Sequence, residues 1–402
     1  MSRISAPIYA TATFFSKTGG GLFFFINTWI VIELTGAPAG AAISLLVAVL
    51  PSIFLSMAIG GFADRYPPIN IVLISEGLRS LILFLYASLY SADLASPLIA
   101  YSVSFLMAIC AEIQLVSWRV ILATYNPLST HLRFNALSVT SGQAGVVIGA
   151  MCSGILFLHI GSTATIYIAS MIFSVSTLCI FLLTKGPQIQ PSKSLIKAAP
   201  IEPSTRRVES TLGLISYIYN RPSLIGNYLL IILNINILYT SNALLAPFVN
   251  GPLKLSAKAY GLIDAAYSVG AILGSLIIVA LSRYLGETKA IFSGLAVLAM
   301  SLLLFAQSYT FPVAFISYVG IGLGCQTSII CLSRAQRITD RALHGRTYAL
   351  FNTLTGCTGV LVFSLSTRFT DDESLRSVFE YQAIAVAGVL LIFTIVKMYR
   401  SL

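Results

Sequence analysis

Long apolar stretches, each of about 20 residues or more, alternate with short polar connections along the whole chain. A stretch of that length makes a helix able to cross a bilayer. The stretches fall at 8–34, 39–62, 69–91, 96–122, 133–159, 162–184, 223–249, 257–282, 288–308, 311–333, 345–369 and 375–398. Turn-forming residues such as Thr35-Gly36-Ala37-Pro38, Asn126-Pro127 and Asn250-Gly251-Pro252 separate them. The pattern predicts an all-α polytopic membrane protein with twelve transmembrane helices in two six-helix bundles. The longest polar connection, 185–221, is rich in Pro, Ser and Lys. It is read as a cytoplasmic linker between an N-terminal bundle, 1–184, and a C-terminal one, 222–402.

Composition supports this pattern. Of the 402 residues 57% are hydrophobic and 9% charged, against about 25% charged in soluble domains, too few to cover a water-facing surface. The first apolar run is too long for the core of a cleavable signal, and no clear small-residue cleavage site follows it. The cysteines, Cys110, Cys152, Cys179, Cys325, Cys331 and Cys357, all lie inside apolar runs with no C-x-x-C pair. They are read as small core residues, with no metal and no cofactor expected.

The net charge of +10 has a topological explanation. Of the 24 Lys and Arg, seventeen fall on one face of the membrane, four on the other (Lys254, Lys258, Arg368, Arg376) and three within helices (Lys17, Arg79, Arg119). The richer face includes Arg3, Arg65, Arg133, Lys193, Lys197, Arg206, Arg207, Arg346 and Arg400. Basic loops stay inside, so both termini are expected in the cytoplasm, and no nucleic-acid partner is needed to explain the charge.

Between the second and third stretches lies Gly60-Gly61-Phe62-Ala63-Asp64-Arg65-Tyr66-Pro67-Pro68, a charged hairpin that its prolines end. Gly60 and Gly61 permit close packing. Asp64 would be favoured at the positive N-terminal end of a neighbouring helix, most readily the eleventh. In the fifth stretch Gly145, Gly149 and Gly154 place small residues at spacings that let two helices approach closely. A weak internal repeat also shows: Arg133-Phe134-Asn135-Ala136-Leu137 against Arg346-Thr347-Tyr348-Ala349-Leu350, and Asp64-Arg65-Tyr66 against Ser282-Arg283-Tyr284. Parallel six-helix repeats are one transporter plan.

The hairpin resembles the G-x-x-x-D-R loop motif of the major facilitator superfamily. The run from Leu34-Thr35-Gly36 to Gly77-Leu78-Arg79 is similar to the branch of enterobactin-type siderophore exporters and macrolide efflux proteins. Pro67, Pro68 and Asn70 stand where that motif usually has basic residues. Gly145 to Gly154 resembles the superfamily's antiporter motif, with Ala150 in place of its Pro and Ser153 in place of a Gly. The resemblance implies a major facilitator fold and a proton-coupled exporter in a bacterial inner membrane, working by alternating access, with Gly60, Gly61, Asp64 and Arg65 as gating residues. It implies a small-molecule substrate, a siderophore or alternatively a drug, and a monomer. It also implies that the first, fourth, seventh and tenth helices line a central cavity.

Charges at membrane depth cost about 2.5–3.5 kcal/mol each on insertion scales, so each is a functional candidate. Lys17, Glu112 and Arg119 are expected to converge on the cavity, with Glu112 as proton carrier and the two cations holding an anionic substrate. Asp264 is a second candidate for protonation. Asn234, Asn236 and Tyr239 on the seventh helix, and Tyr318 and Gln326 on the tenth, suit a wet cavity. Glu76 and Arg79, three apart, would pair locally in a structural role. No nucleophile–base set appears, so no enzyme is expected. A non-transporting sensor would need an added soluble domain or large structured loop, which the chain does not show.

Overall fold

Proline and glycine punctuate the helices in the computed structural model, which describes residues 5–36, 39–185, 211–255, 257–366 and 372–401. Helix α1, Ala6–Thr35, starts with Pro7 in its first turn and stops at Gly36. There a left-handed φ of 64° turns the glycine N–H back to Ile32 O. Then come α2 (Ala39–Phe54) and α3 (Ser56–Arg65). Pro68 opens α4 (Pro68–Ser91), so only Tyr66 and Pro67 join it to α3. Pro97 opens α5 (Pro97–Tyr125), which Ser96 caps by accepting from Ile99 N. Next are α6 (His131–Lys185), the short α7 (Thr211–Tyr219), α8 (Pro222–Asn250), α9 (Ala257–Leu285) and α10 (Glu287–Ala306). The last are α11 (Phe311–Gly324), α12 (Thr327–Ile338), α13 (His344–Ser366) and α14 (Asp372–Ser401). No β-strand occurs among the described residues.

Three spans depart from the simple apolar runs. The second is broken at Leu55 and bends by 52°, where Pro51, inside α2, removes a backbone donor just upstream. The tenth is interrupted at Cys325-Gln326, after Gly320, Gly322 and Gly324. Helix α6 has 55 residues, roughly 80 Å at 1.5 Å per residue, more than twice a bilayer core. It divides at Gly161, whose φ of 78° and ψ of 176° are not helical. Among the described residues nine helices are long and apolar enough to span, ten with the bent pair. Dividing α6 and adding the more polar α13 accounts for the twelve stretches. Residues 186–210 of the expected linker, with Lys193, Lys197, Arg206 and Arg207, lie outside the described residues, as do Arg3 and Arg368.

The helices group into two units, one of 1–225 with Ala335–Gly356, the other of Gly226–Arg334 with Cys357–Leu402. In the first unit Leu22, Ile26, Ile30, Leu83, Tyr86 and Phe173 form one core cluster. Tyr9, Trp118 and Phe134 anchor another, with the Tyr9 and Trp118 rings edge to face at 4.7 Å. The second unit centres on Phe248, Phe305 and Phe379, with Phe248 stacked on Phe305 at 4.5 Å. Large apolar side chains such as Phe54, Leu98, Leu158, Met171 and Ile384 remain exposed. In water such a surface would aggregate; a hydrocarbon surround stabilises it.

Small residues bring α1 against α6. A Cβ at Gly145 would stand 2.5 Å from Phe14 O, and one at Gly149 would fall on Thr18 O. From the facing side, a Cβ at Gly21 would stand 2.8 Å from Val146 O. These neighbours are backbone and cannot rotate away. A Cβ at Gly154 meets only Phe25, at 4.0 Å. Gly149→Val is therefore expected to lose most of the monodisperse protein on size-exclusion chromatography, since overpacking a tight contact costs about 1–3 kcal/mol or more. Gly154→Ala should elute like the wild type, and equal yields for both variants would contradict the close α1–α6 contact.

Candidate functional site

A cavity of about 320 Å³ opens within the first unit, between α1, α2, α4 and α5. Helical periodicity places its walls. Lys17, Gly20, Phe24 and Asn27 recur along one face of α1, and Ser104, Met107, Ala108, Ala111, Glu112 and Leu115 along one face of α5. Helix α2 adds Ser44, Ala48 and Ser52, and α4 adds Arg79. Aromatic and aliphatic walls with a few charged and hydroxyl groups are the usual makeup of a small-molecule site.

Lys17 is accessible and makes no hydrogen bond or ion pair among the described residues. Glu112, across the cavity, is 7% exposed, and its Oε1 accepts from Asn352 Nδ2 at 2.6 Å. The same Asn352 nitrogen lies 3.3 Å from Ser56 Oγ. Arg79 sits in a buried network. Its Nη1 donates to Glu76 Oε1 at 3.0 Å, Ser16 Oγ at 3.1 Å and Gln114 Oε1 at 3.3 Å. Ser16 Oγ and Gln114 Nε2 also donate to Glu76 Oε1. The guanidinium stacks 4.2 Å over Phe173. Glu76 is thus engaged through Oε1 alone, its Oε2 being buried without a partner, and Arg79 presents a neutralised pair to the cavity wall. At the other end Asn27 Nδ2 donates to Ser104 Oγ at 2.8 Å and Ser44 Oγ at 3.3 Å, and Asn27 Oδ1 is buried without a partner.

Arg119 is not on this cavity. Seven residues beyond Glu112 it lies about 10 Å further along α5. There its Nη1 donates to Asn135 Oδ1 at 3.3 Å and its guanidinium lies 5.7 Å from the Tyr348 ring. Lys17 and Glu112 therefore share one cavity, while Arg119 shares a smaller pocket with Lys17.

The hairpin meets the start of α13. Asp64 Oδ1 accepts from Gly345 N at 2.7 Å, and Oδ2 from Arg346 N at 2.9 Å. Both are first-turn N–H groups, which have no partner inside their own helix. A Cβ at Gly60 would stand 2.5 Å from Gly345 O, whereas one at Gly61 meets only Arg346 Nε, at 3.6 Å. Arg65 is exposed.

In the second unit, Asn234 Nδ2 donates to Thr327 Oγ1 at 3.1 Å and Asn236 Nδ2 to Thr358 Oγ1 at 3.0 Å. The Tyr239 ring packs on Gly359. Tyr318 is buried beside Phe305, ring centres 5.0 Å apart, and Gln326 Nε2 donates back to Gly322 O at 2.9 Å. All five make contacts between or within helices; Asn236 and Tyr239 stay partly exposed, and Asn234 Oδ1 and Asn236 Oδ1 are buried without a hydrogen-bond partner. Asp264 is exposed on α9 and forms no ion pair among the described residues. No three His, Cys, Asp or Glu among the described residues are placed to hold a metal ion.

Sequence reasoning missed Asn27, Ser44, Ser104 and Asn352. The first and third were detectable, being polar residues on the helical faces that carry Lys17 and Glu112. Asn352 was not, because it meets Glu112 across 240 positions.

The chain matches the family model described as Major Facilitator Superfamily over residues 9–248 and 228–401. It belongs to that superfamily, a class of multi-pass membrane transporters for small molecules. Its fold is similar to that of a bacterial homologue of the iron transporter ferroportin, solved in an outward-facing state. The two are 15% identical with a TM-score of 0.72, over 97% of this chain and 98% of that one. The fucose:proton symporter of E. coli is 12% identical with a TM-score of 0.73, over 96% and 97% of the two chains. The human organic anion transporter MFSD10 is 14% identical with a TM-score of 0.72, over 96% and 100%. At such identities the likeness is one of fold. No curated protein sequence matches it significantly.

Proposed function

We propose that this transporter exports a small anionic molecule, a siderophore, in exchange for protons, across a bacterial inner membrane. The observation that carries the reading is the pairing of an unneutralised Lys17 with Glu112 across one cavity. Lys17, next to the guanidinium of Arg79, attracts a carboxylate- or phenolate-rich ligand. Glu112 carries the proton, and Asn352 holds it. The two halves, 1–184 and 222–402, alternate access to the site as a monomer. Asp64, with Gly60 and Gly61 packing beside it and Arg65 supplying surface charge, latches α3 to α13 in one of the two states. The Lys/Arg pattern favours both termini in the cytoplasm.

A strain lacking the gene should accumulate its siderophore inside the cell and secrete less of it. Normal secretion with no internal accumulation would overturn the siderophore reading, and a gain in drug sensitivity in that strain would point to the efflux reading instead. In reconstituted vesicles, Lys17→Gln should raise KM for the anionic substrate about tenfold or more, since a hydrogen bond to a charged group contributes about 1.5–3 kcal/mol. An unchanged KM would remove Lys17 from the site.

A further inference from the structure

We propose that the smaller pocket beside Arg119 is a binding site for a monatomic anion, chloride or its like. The pocket lies between α1, α5 and α6 and measures about 40 Å³. It meets the main cavity at Lys17, which lines both. A space of only about 10–15 Å³ holds a water, so the pocket has room for a monatomic ion, and it is far smaller than the main cavity.

Its charge is one-sided. Lys17 and Arg119 stand on its wall with no carboxylate beside them. The nearby acids are engaged elsewhere: Glu76 by Arg79, Ser16 and Gln114, and Glu112 by Asn352. Two cations at membrane depth without a counter-charge are costly, and one bound anion offsets both. Donors for it are left over. Arg119 Nε is buried with no acceptor at hydrogen-bond distance. Thr13 Oγ1, on a residue 8% exposed, likewise has no partner at that distance. Ser138, on α6, also lines the pocket. Hydroxyl and cationic groups lining one small pocket form an anion site by the same charge-assisted bonding that holds carboxylates elsewhere. The site shares Lys17 with the substrate cavity, whereas Arg119 and Thr13 line this pocket and not that cavity.

Trp118 lines this pocket, and the chain has only two tryptophans, the other being Trp29. Full-length Trp29→Phe protein in detergent is titrated with sodium bromide against sodium gluconate at constant ionic strength. Trp118 fluorescence is expected to quench saturably, and chloride should reverse the quenching. Lys17→Gln and Arg119→Gln in the same background should each lose the saturable component, with helix content checked by circular dichroism. Thr13→Val, which keeps both charges and the side-chain volume, should weaken it. Quenching that rises linearly and ignores chloride overturns the proposal, as does saturable quenching that survives in the folded Lys17→Gln protein.

Discussion

Glu112→Gln is expected to abolish pH-driven transport in proteoliposomes while leaving the protein folded and able to exchange substrate for substrate. The substitution is nearly isosteric, and the amide oxygen can still accept from Asn352 Nδ2, which lies 2.6 Å from Glu112 Oε1. What disappears is the group that can bind and release a proton at membrane depth. A hydrogen bond to a charged acceptor contributes about 1.5–3 kcal/mol and one to a neutral acceptor about 0.5–1.5. The hold of α5 on α13 should therefore weaken by about 1 kcal/mol, roughly fivefold. That is too little to unfold the protein, yet net proton-driven flux should fall to the level of empty vesicles. Proton coupling that survives in Glu112→Gln would take Glu112 out of the proton path. Exchange that fails along with coupling would make its role structural.

The second large effect is expected at Asp64. Its two oxygens take the N–H groups of Gly345 and Arg346 at 2.7 and 2.9 Å. Asp64→Asn leaves one acceptor oxygen and turns an NH₂ toward the other N–H, donor against donor. The loss combines an unsatisfied donor, about 1–3 kcal/mol, with the lost carboxylate at a helix N-terminus, about 0.3–1 kcal/mol. A total near 3 kcal/mol corresponds to about 100-fold faster local opening. Hydrogen exchange of the peptide covering Gly345 and Arg346 should accelerate by that order, and transport should fall more than tenfold. Arg65→Ala, at an exposed position, should leave exchange unchanged. If Asp64→Asn exchanges at the wild-type rate, the hairpin is a solvated turn and no latch.

Much of this was legible in the chain itself. Apolar length alone set the spans, because a bilayer core demands about 20 residues of helix whatever surrounds it. Pro67-Pro68 and Gly36 placed the hairpins through fixed local dihedral preferences. The small residues Gly145 and Gly149 announced a close contact, and the charged turn at Asp64 suited a helix N-terminus. Each of these readings depends on residues adjacent in sequence or on one helix face.

The site was only partly legible. Lys17 and Glu112 stood out because charge is rare in apolar helices, but their partners are long-range. The fate of Glu112 depends on Asn352, that of Arg79 on Ser16 and Gln114, and that of Arg119 on Asn135. Tyr318 and Gln326 looked like cavity residues by type, and packing placed them against Phe305 and Gly322 O. By itself the sequence determined that this is a twelve-span membrane protein of facilitator type with three charges at depth in its first four spans besides the Glu76–Arg79 pair. Tertiary structure alone decided which of those charges face open space and which are neutralised. A helix sets the direction of a side chain, but only the neighbouring helix decides whether a partner, a cavity or lipid lies there.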